Sequence, residues 1–291
     1  MGLVAAVAIQ EELGRAAYPT PLTETLQSTF VLKHANATEA LGKIAAGESM
    51  ALAIYGKDGS LQADSTDVQV EGNKLTGTSW YVQDLHKVDH FIVAAKSEAG
   101  VGLYLVDAAN CRLCTDRIVD LTRDQGRVVF ENIEANIVAQ PGDGEKVLQD
   151  ALPAILTLLA ADVAGAAEWQ LQATAEYAKV RTQFERPIGF FQAVKHPIVN
   201  MMIQADETRS LVYNAACAYD FEPEDALRCA RLAKSSASDT ASFCSNRSTQ
   251  LHGGIGFTWE SDVQIYHKRQ MHSQFLHGDG SWHREKLAEL L

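Results

Sequence analysis

The chain is short of positive charge: 25 lysines and arginines face 37 aspartates and glutamates, for a formal net charge of -12. A surface of that sign repels phosphate backbones, which argues against nucleic acid as a partner, although a local basic patch can still hold one anionic cofactor. Cysteine is scarce and odd in number: Cys111, Cys114, Cys217, Cys229 and Cys244 suggest no disulfide framework. Cys111 and Cys114 make a lone C-x-x-C, with no second pair and no histidine at ligand spacing. Two free thiols along a strand in a reducing cytoplasm are expected there, rather than zinc. No basic segment precedes the apolar start, which argues against a secretory signal peptide, and a cytoplasmic location is expected. Long uninterrupted apolar runs are missing too. Residues 151–171 are broken by Pro153, Asp162 and Glu168, so no membrane span is expected. Internal repeats and low-complexity tracts are absent. What is there, 46% hydrophobic and 21% charged residues over 291 positions, is the composition of an ordinary folded protein with room for a substantial core.

The apolar pattern divides the chain. Residues 2–15 have helical spacing, and Pro19 and Pro21 predict an irregular exit from a single short helix. Residues 37–47 predict a second short helix stopped by Gly47. From 49 to about 138 the sequence turns β-rich, with runs at 49–55, 67–82, 90–97 and 100–108. Gly72-Asn73 predicts a hairpin within 67–82. Short strands with close turns suggest an antiparallel barrel or sandwich. QPGDG at 140–144 is a break, and helical periodicity follows. Ile155, Leu156, Leu159, Val163, Ala166 and Ala167 recur at three- and four-residue steps, while Gly165 permits close helix contact. Runs at 192–220, 224–250 and about 259–274 complete an expected four-helix bundle. The expected organisation is a helical segment over 1–48, a β domain over 49–142 and a helical bundle over 143–291, an α+β fold.

Two stretches carry candidate chemistry. Residues 181–192 read RTQFERPIGFFQ. An arginine makes paired hydrogen bonds to a phosphate, a phenylalanine offers a face to a flat ring, and glutamines fix polar edges. The plainer reading is a helix C-terminus, with Arg181 complementing the macrodipole and Phe184 in the core. Residues 250–257 read QLHGGIGF, where glycines let a backbone or ligand approach closely, or simply turn the chain between helices.

Taken together, R-x-Q-F-x-R-P-I-x-x-F-Q followed by Q-x-x-G-G-x-G-F resembles the acyl-CoA dehydrogenase family. GKIAAGESMALAI resembles that family's entry into its β domain, and LTRDQGRVVFENIEANIVAQPGDG the exit from it. The resemblance implies FAD as cofactor, an acyl-CoA substrate and an electron-transfer flavoprotein as acceptor. In the family, the two motifs of one subunit hold the adenine and pyrophosphate end of a flavin seated in its neighbour. That implies cofactor-binding roles for Arg181, Gln183, Phe184, Ile188, Phe191, Gln250, Gly253 and Gly254.

Other features depart from the family. Its catalytic glutamate usually follows the last helix in an E-G-T/S stretch, but here the matching residues are Phe275-Leu276-His277-Gly278-Asp279. An alternative seat falls near Ile155, in AILTLLAA, which holds no carboxylate. Asp279 and His277 are candidate substitutes, and Glu260 is expected to serve a helix start. The ring-seating T-E-P-x-x-G-S-D becomes Ile54-Tyr55-Gly56-Lys57-Asp58-Gly59-Ser60-Leu61, and W-I-T-N becomes Tyr81-Val82-Gln83-Asp84. The helical segment before the β domain resembles only the end of the family's larger one. The chain is thus similar to the shortened non-catalytic subunit of α2β2 acyl-CoA dehydrogenases of actinobacterial steroid degradation. That implies a full-length partner chain, no catalytic residue in this one, and a bulky steroid-derived acyl-CoA from lipid metabolism. Two alternatives stay open: a self-sufficient homomer with a relocated base, Asp279 or His277, and a flavin-free acyl-CoA-binding scaffold.

Overall fold

A computed structural model describes residues 2–290. The chain folds as two compact units. One holds the first helix, Val119–Thr122 and everything described from Leu156 on; the other holds Pro19–Ile118 and Arg123–Ile155.

In the second unit, helices α2 (Leu22–His34) and α3 (Thr38–Ala45) precede a sheet of eight strands: β1 (Met50–Ala53), β2 (Gln69–Glu71), β3 (Lys74–Gln83), β4 (His90–Ser97), β5 (Gly100–Asp107), β6 (Arg112–Thr115), β7 (Gln125–Glu134) and β8 (Asn136–Ala139). Their order is β6-β7-β3-β2-β4-β5-β8, with β1 also on β4. The pairings are antiparallel except that β1 and β2 run parallel to β4, Met50 lying opposite His90. Gly72, in the left-handed region, closes the expected β2–β3 hairpin, in which Glu71 faces Lys74. Phe91, Val93, Tyr104, Val128 and Phe130 fill the core. Helix α2 replaces the irregular exit expected after the first helix. Its buried side mixes Thr23, Glu24, Thr25, Gln27 and Ser28 with Leu26, Phe30, Val31 and Leu32, so no clean apolar stripe announces it. Those polar groups have work within the unit: Thr25 Oγ1 accepts from the Met50 amide (3.1 Å), the first residue of β1.

The first unit is helical: α1 (Leu3–Arg15), the long α4 (Gly144–Val180, entering this unit at Leu156), a hairpin of β9 (Thr182–Gln183) and β10 (Arg186–Pro187), then α5 (Gln192–Phe221), α6 (Ala226–His252), α7 (Val263–Ser273) and α8 (Gly280–Ala288). Helix α8 adds to the four helices expected from periodicity. Glu260 lies before α7, whose N-cap position is Asp262, and so does not start that helix. Helix α4 is apolar and long enough to cross a membrane, but 78% of its most apolar window is buried inside the protein.

Helices α4 and α6 run parallel: Thr174 Oγ1 donates to Ser248 Oγ (2.9 Å), and one turn on Tyr177 stacks on His252 (4.4 Å). Helix α1 crosses α4 at two facing glycines. A Cβ at Gly165 would stand 1.9 Å from the Glu11 carbonyl oxygen, and one at Gly14 would stand 2.1 Å from that of Asp162. Gly165→Ala must push the helices apart. We expect it to cost about 2–3 kcal/mol despite alanine's better helix propensity, read as a lowered Tm. An unchanged Tm would mean that this crossing is not tight.

Candidate nucleotide clasp

The RTQFERPIGFFQ stretch begins where α4 stops. The Arg181 amide donates to the Tyr177 carbonyl (2.9 Å), and the Ile188 amide returns to the Arg181 carbonyl (2.8 Å), closing the hairpin. Gly189 fits against α4 so closely that a Cβ would lie 2.9 Å from the Ala178 oxygen. The two turn residues, Phe184 and Glu185, both have left-handed backbone (φ 53° and 61°), a conformation usually given to asparagine or glycine. The strained turn carries Phe184 outward: it is 84% exposed, which contradicts the reading of this side chain as core. Phe184 and Phe190 each meet the Phe191 ring edge to face, at 5.9 and 5.7 Å, and the Arg186 guanidinium lies over Phe190 at 4.4 Å. Arg181 and Gln183 are exposed, and Arg181 has no carboxylate partner among the described residues.

The second stretch leaves α6. Gln250 is exposed on its last turn, and Gly253 caps the helix at φ 63°. A Cβ at Gly253 or Gly254 would meet nothing within 4 Å, so this turn presents bare backbone to open space. Because α4 and α6 are parallel and locked by the Tyr177–His252 stack, both stretches emerge at the same end of the helical unit. An exposed, unpaired arginine, amide side chains, aromatic faces and an uncovered glycine turn fit the nucleotide end of a dinucleotide approaching from outside the chain.

The candidate base positions are engaged elsewhere. Around Ile155, α4 is buried and apolar, and the next carboxylate along it, Asp162, pairs with Arg269 at 2.5 Å. Asp279 is the N-cap of α8, accepting from the Trp282 amide (2.8 Å). Burial pushes the His277 imidazole down to about 3, with Lys234 and then His283 adding to it, so it has little affinity for a proton. Lys234, fully buried on α6, is held near 7 by burial. Its ammonium donates to Ser238 Oγ (2.8 Å) and to the carbonyls of Gln274 (3.0 Å) and Gly278 (2.8 Å), fixing the backbone around His277.

In the sheet unit, the run that departs from T-E-P-x-x-G-S-D folds onto itself. Tyr81 Oη donates to the Lys57 carbonyl (2.9 Å), and its ring lies 3.6 Å from where a Gly59 Cβ would be. The Tyr55 hydroxyl is pushed well up by burial and by nearby Glu24. Sequence reasoning missed the buried ionisable groups Glu24, Lys234 and His283; nothing in their local pattern distinguishes them from solvent-facing charges.

With this geometry in view, the comparisons are specific. The family model "Acyl-CoA dehydrogenase, C-terminal domain" matches residues 142–291. Acyl-CoA dehydrogenase IpdE2 of Mycobacterium tuberculosis is 32% identical over 269 residues, 92% of this chain and 71% of that protein. IpdE2 of Mycolicibacterium smegmatis is 29% identical over 288 residues, 99% of this chain and 78% of that one. Among solved structures, one described as the Tcur3481-Tcur3483 steroid ACAD, G363A variant, superposes with a TM-score of 0.86 at 26% identity, covering 99% of this chain and 81% of that one.

Proposed function

The chain belongs to the acyl-CoA dehydrogenase family, and from that premise we propose that it is a subunit of a heteromeric, FAD-dependent enzyme that completes a partner's nucleotide site without supplying the base. One contrast carries the reading: Arg181, Gln183, Phe184, Gln250 and the Gly253-Gly254 turn are exposed, while Asp279, His277 and Asp162 are each committed to structure. Bound FAD supplies the hydride acceptor for α,β-dehydrogenation of an acyl thioester. In this reading Arg181 grips the pyrophosphate, Gln183 and Gln250 fix polar edges, and Phe184, Ile188 and Phe191 shield the adenine end. Gly253 and Gly254 allow backbone contact. The ring, the base and most of the acyl pocket belong to a full-length partner chain in an α2β2 assembly, with an electron-transfer flavoprotein as acceptor. A neighbour whose description pairs two chains and names a steroid supports both the heteromer and a bulky, steroid-derived acyl-CoA.

Expression alone and with a full-length homologous partner tests this. Alone, the chain is expected to carry little flavin and to be poorly soluble. The co-complex should hold about one flavin per two chains. Arg181→Ala in the co-complex should weaken flavin retention about tenfold to a hundredfold, as expected for a lost charged hydrogen bond. A yellow, active protein from this chain alone overturns the proposal and favours a relocated base. A stable co-complex without flavin favours a scaffold.

A further inference from the structure

The last helix, α8, is held to α6 through an unusual set of groups. Ser235 Oγ donates to the Gly280 carbonyl (3.1 Å), Arg284 reaches Asp239 (2.7 Å), and the Arg231 guanidinium lies over the Trp282 ring (5.2 Å). At the centre His283 has no exposed surface. Its Nε2 lies 2.9 Å from the His277 carbonyl oxygen, which can only accept, so Nε2 carries a hydrogen. Its Nδ1 lies 3.4 Å from Arg231 Nη1, which can only donate, so Nδ1 must present a bare lone pair. The neutral Nε2–H tautomer satisfies both neighbours. An imidazolium cannot, because its second N–H would point at a guanidinium N–H of like charge.

The surroundings sharpen the conflict. Arg231 and Lys234 face His283 from α6, and His277 faces it from the segment before α8. The nearby carboxylates are engaged: Asp279 caps α8, Asp239 holds Arg284, and Glu289, at the end of α8, holds Lys286. Burial, then Lys234 and Arg231, push His283 down to about 3, while the His277 carbonyl and Asp279 offset only part of this.

We infer that His283 is an acid-sensitive latch: α8 docks on α6 while this imidazole is neutral, and proton uptake releases α8 together with residues 274–279. In the released state the histidine regains its ordinary affinity. Between about pH 6.5 and 3 that state therefore binds more protons than the docked one, and each pH unit of acidification favours release by up to about tenfold through His283 alone, His277 in the released segment adding in the same sense. The opening is local, since the other helices do not depend on this contact.

Amide hydrogen exchange on the full chain tests the latch. Peptides covering 275–288 should lose about tenfold or more of their protection between pH 7.5 and 5, after correction for intrinsic rates, while α5 peptides do not. His283→Gln keeps an acceptor for Arg231 and a donor for the His277 carbonyl but cannot take up a proton, so its loss of α8 protection between the two pH values should be about tenfold smaller than the wild type's, only His277 in the released segment still responding to acid. Equal wild-type protection at both pH values overturns the latch. So does a His283→Gln variant that opens with acid as the wild type does. Should that variant not fold, imidazole NMR of the wild-type chain decides: His283 titrating near pH 6.5 with α8 still protected also overturns it.

Discussion

Asp162→Ala is expected to destabilise the helical unit by about 3–5 kcal/mol, because it strands a buried guanidinium. The Asp162 and Arg269 side chains are 1% and 2% exposed and pair at 2.5 Å. Around them Gln10 Nε2 donates to Asp162 (3.2 Å), Ser273 Oγ to its second oxygen (3.4 Å), and Arg269 Nη1 to Thr122 Oγ1 (2.8 Å). One ion pair thereby ties together α1, α4, α7 and the Val119–Thr122 segment, the last through Arg269. Desolvating both ions largely cancels their attraction, so what the mutation exposes is the cost of the orphaned partner, made worse because Arg269 Nε already lacks one. The double variant Asp162→Leu with Arg269→Met should therefore recover most of the loss. Urea unfolding of the wild type and the two variants decides. If the double variant is as unstable as Asp162→Ala, packing rather than charge explains the loss, and the orphaned-ion account fails.

Asp162 also shows what the sequence could and could not say. The steps of α4, α5 and α6 are regular because α4 and α5 bury apolar side chains and α6 buries Ala226, Ala230, Ala233, Ala237 and Ala241 at helical spacing, and period reading finds such helices. The β2–β3 hairpin was equally legible, since a glycine with φ 62° sits where a tight turn needs one. Helix α2 was not, because its first turns bury threonine, glutamate, glutamine and serine around a single leucine, with Glu24 and Thr25 held by hydrogen bonds that no periodicity reveals, and its apolar Phe30, Val31 and Leu32 come only at the end. Helix α8 was hidden for a related reason: Asp279, a candidate base by position, is its cap.

The clasp was legible as two spaced motifs. That they share one end of the helical unit was not, since it depends on α4 and α6 being parallel. For Phe184 the sequence left two readings, an outward face for a flat ring and a core side chain. A phenylalanine after an amphipathic helix reads as core, and only the left-handed turn turns it away. Charges buried in pairs or clusters are the hardest to read, because in sequence they look like any solvated charge.

Glu24 is the strongest such case and carries the second large effect. It lies within the sheet unit, 4% exposed, accepting from Gln27 Nε2 (3.1 Å). Burial first, then the nearby Asp84, push its carboxyl up to about 8 against the pull of Arg123 and Gln27. The sign follows from proton counts. Between about pH 4.5 and 8 the unfolded chain has given up this proton while the folded chain keeps it, so folded stability falls as pH rises through that window and levels off above it. A shift of this size corresponds to a ceiling of about 5 kcal/mol. His277 and His283 act in the opposite sense, costing stability as pH falls below their ordinary value, so the wild-type curve alone mixes the two. Glu24→Gln separates them. Its amide oxygen keeps the Gln27 hydrogen bond and never ionises. Relative to wild type the variant should be about equally stable at pH 4.5 and more stable by about 2–5 kcal/mol at pH 8. The difference between the two denaturation curves, taken at each pH, isolates Glu24 from every histidine. A flat difference would show that Glu24 is already ionised in the folded chain and that Arg123, not burial, governs it.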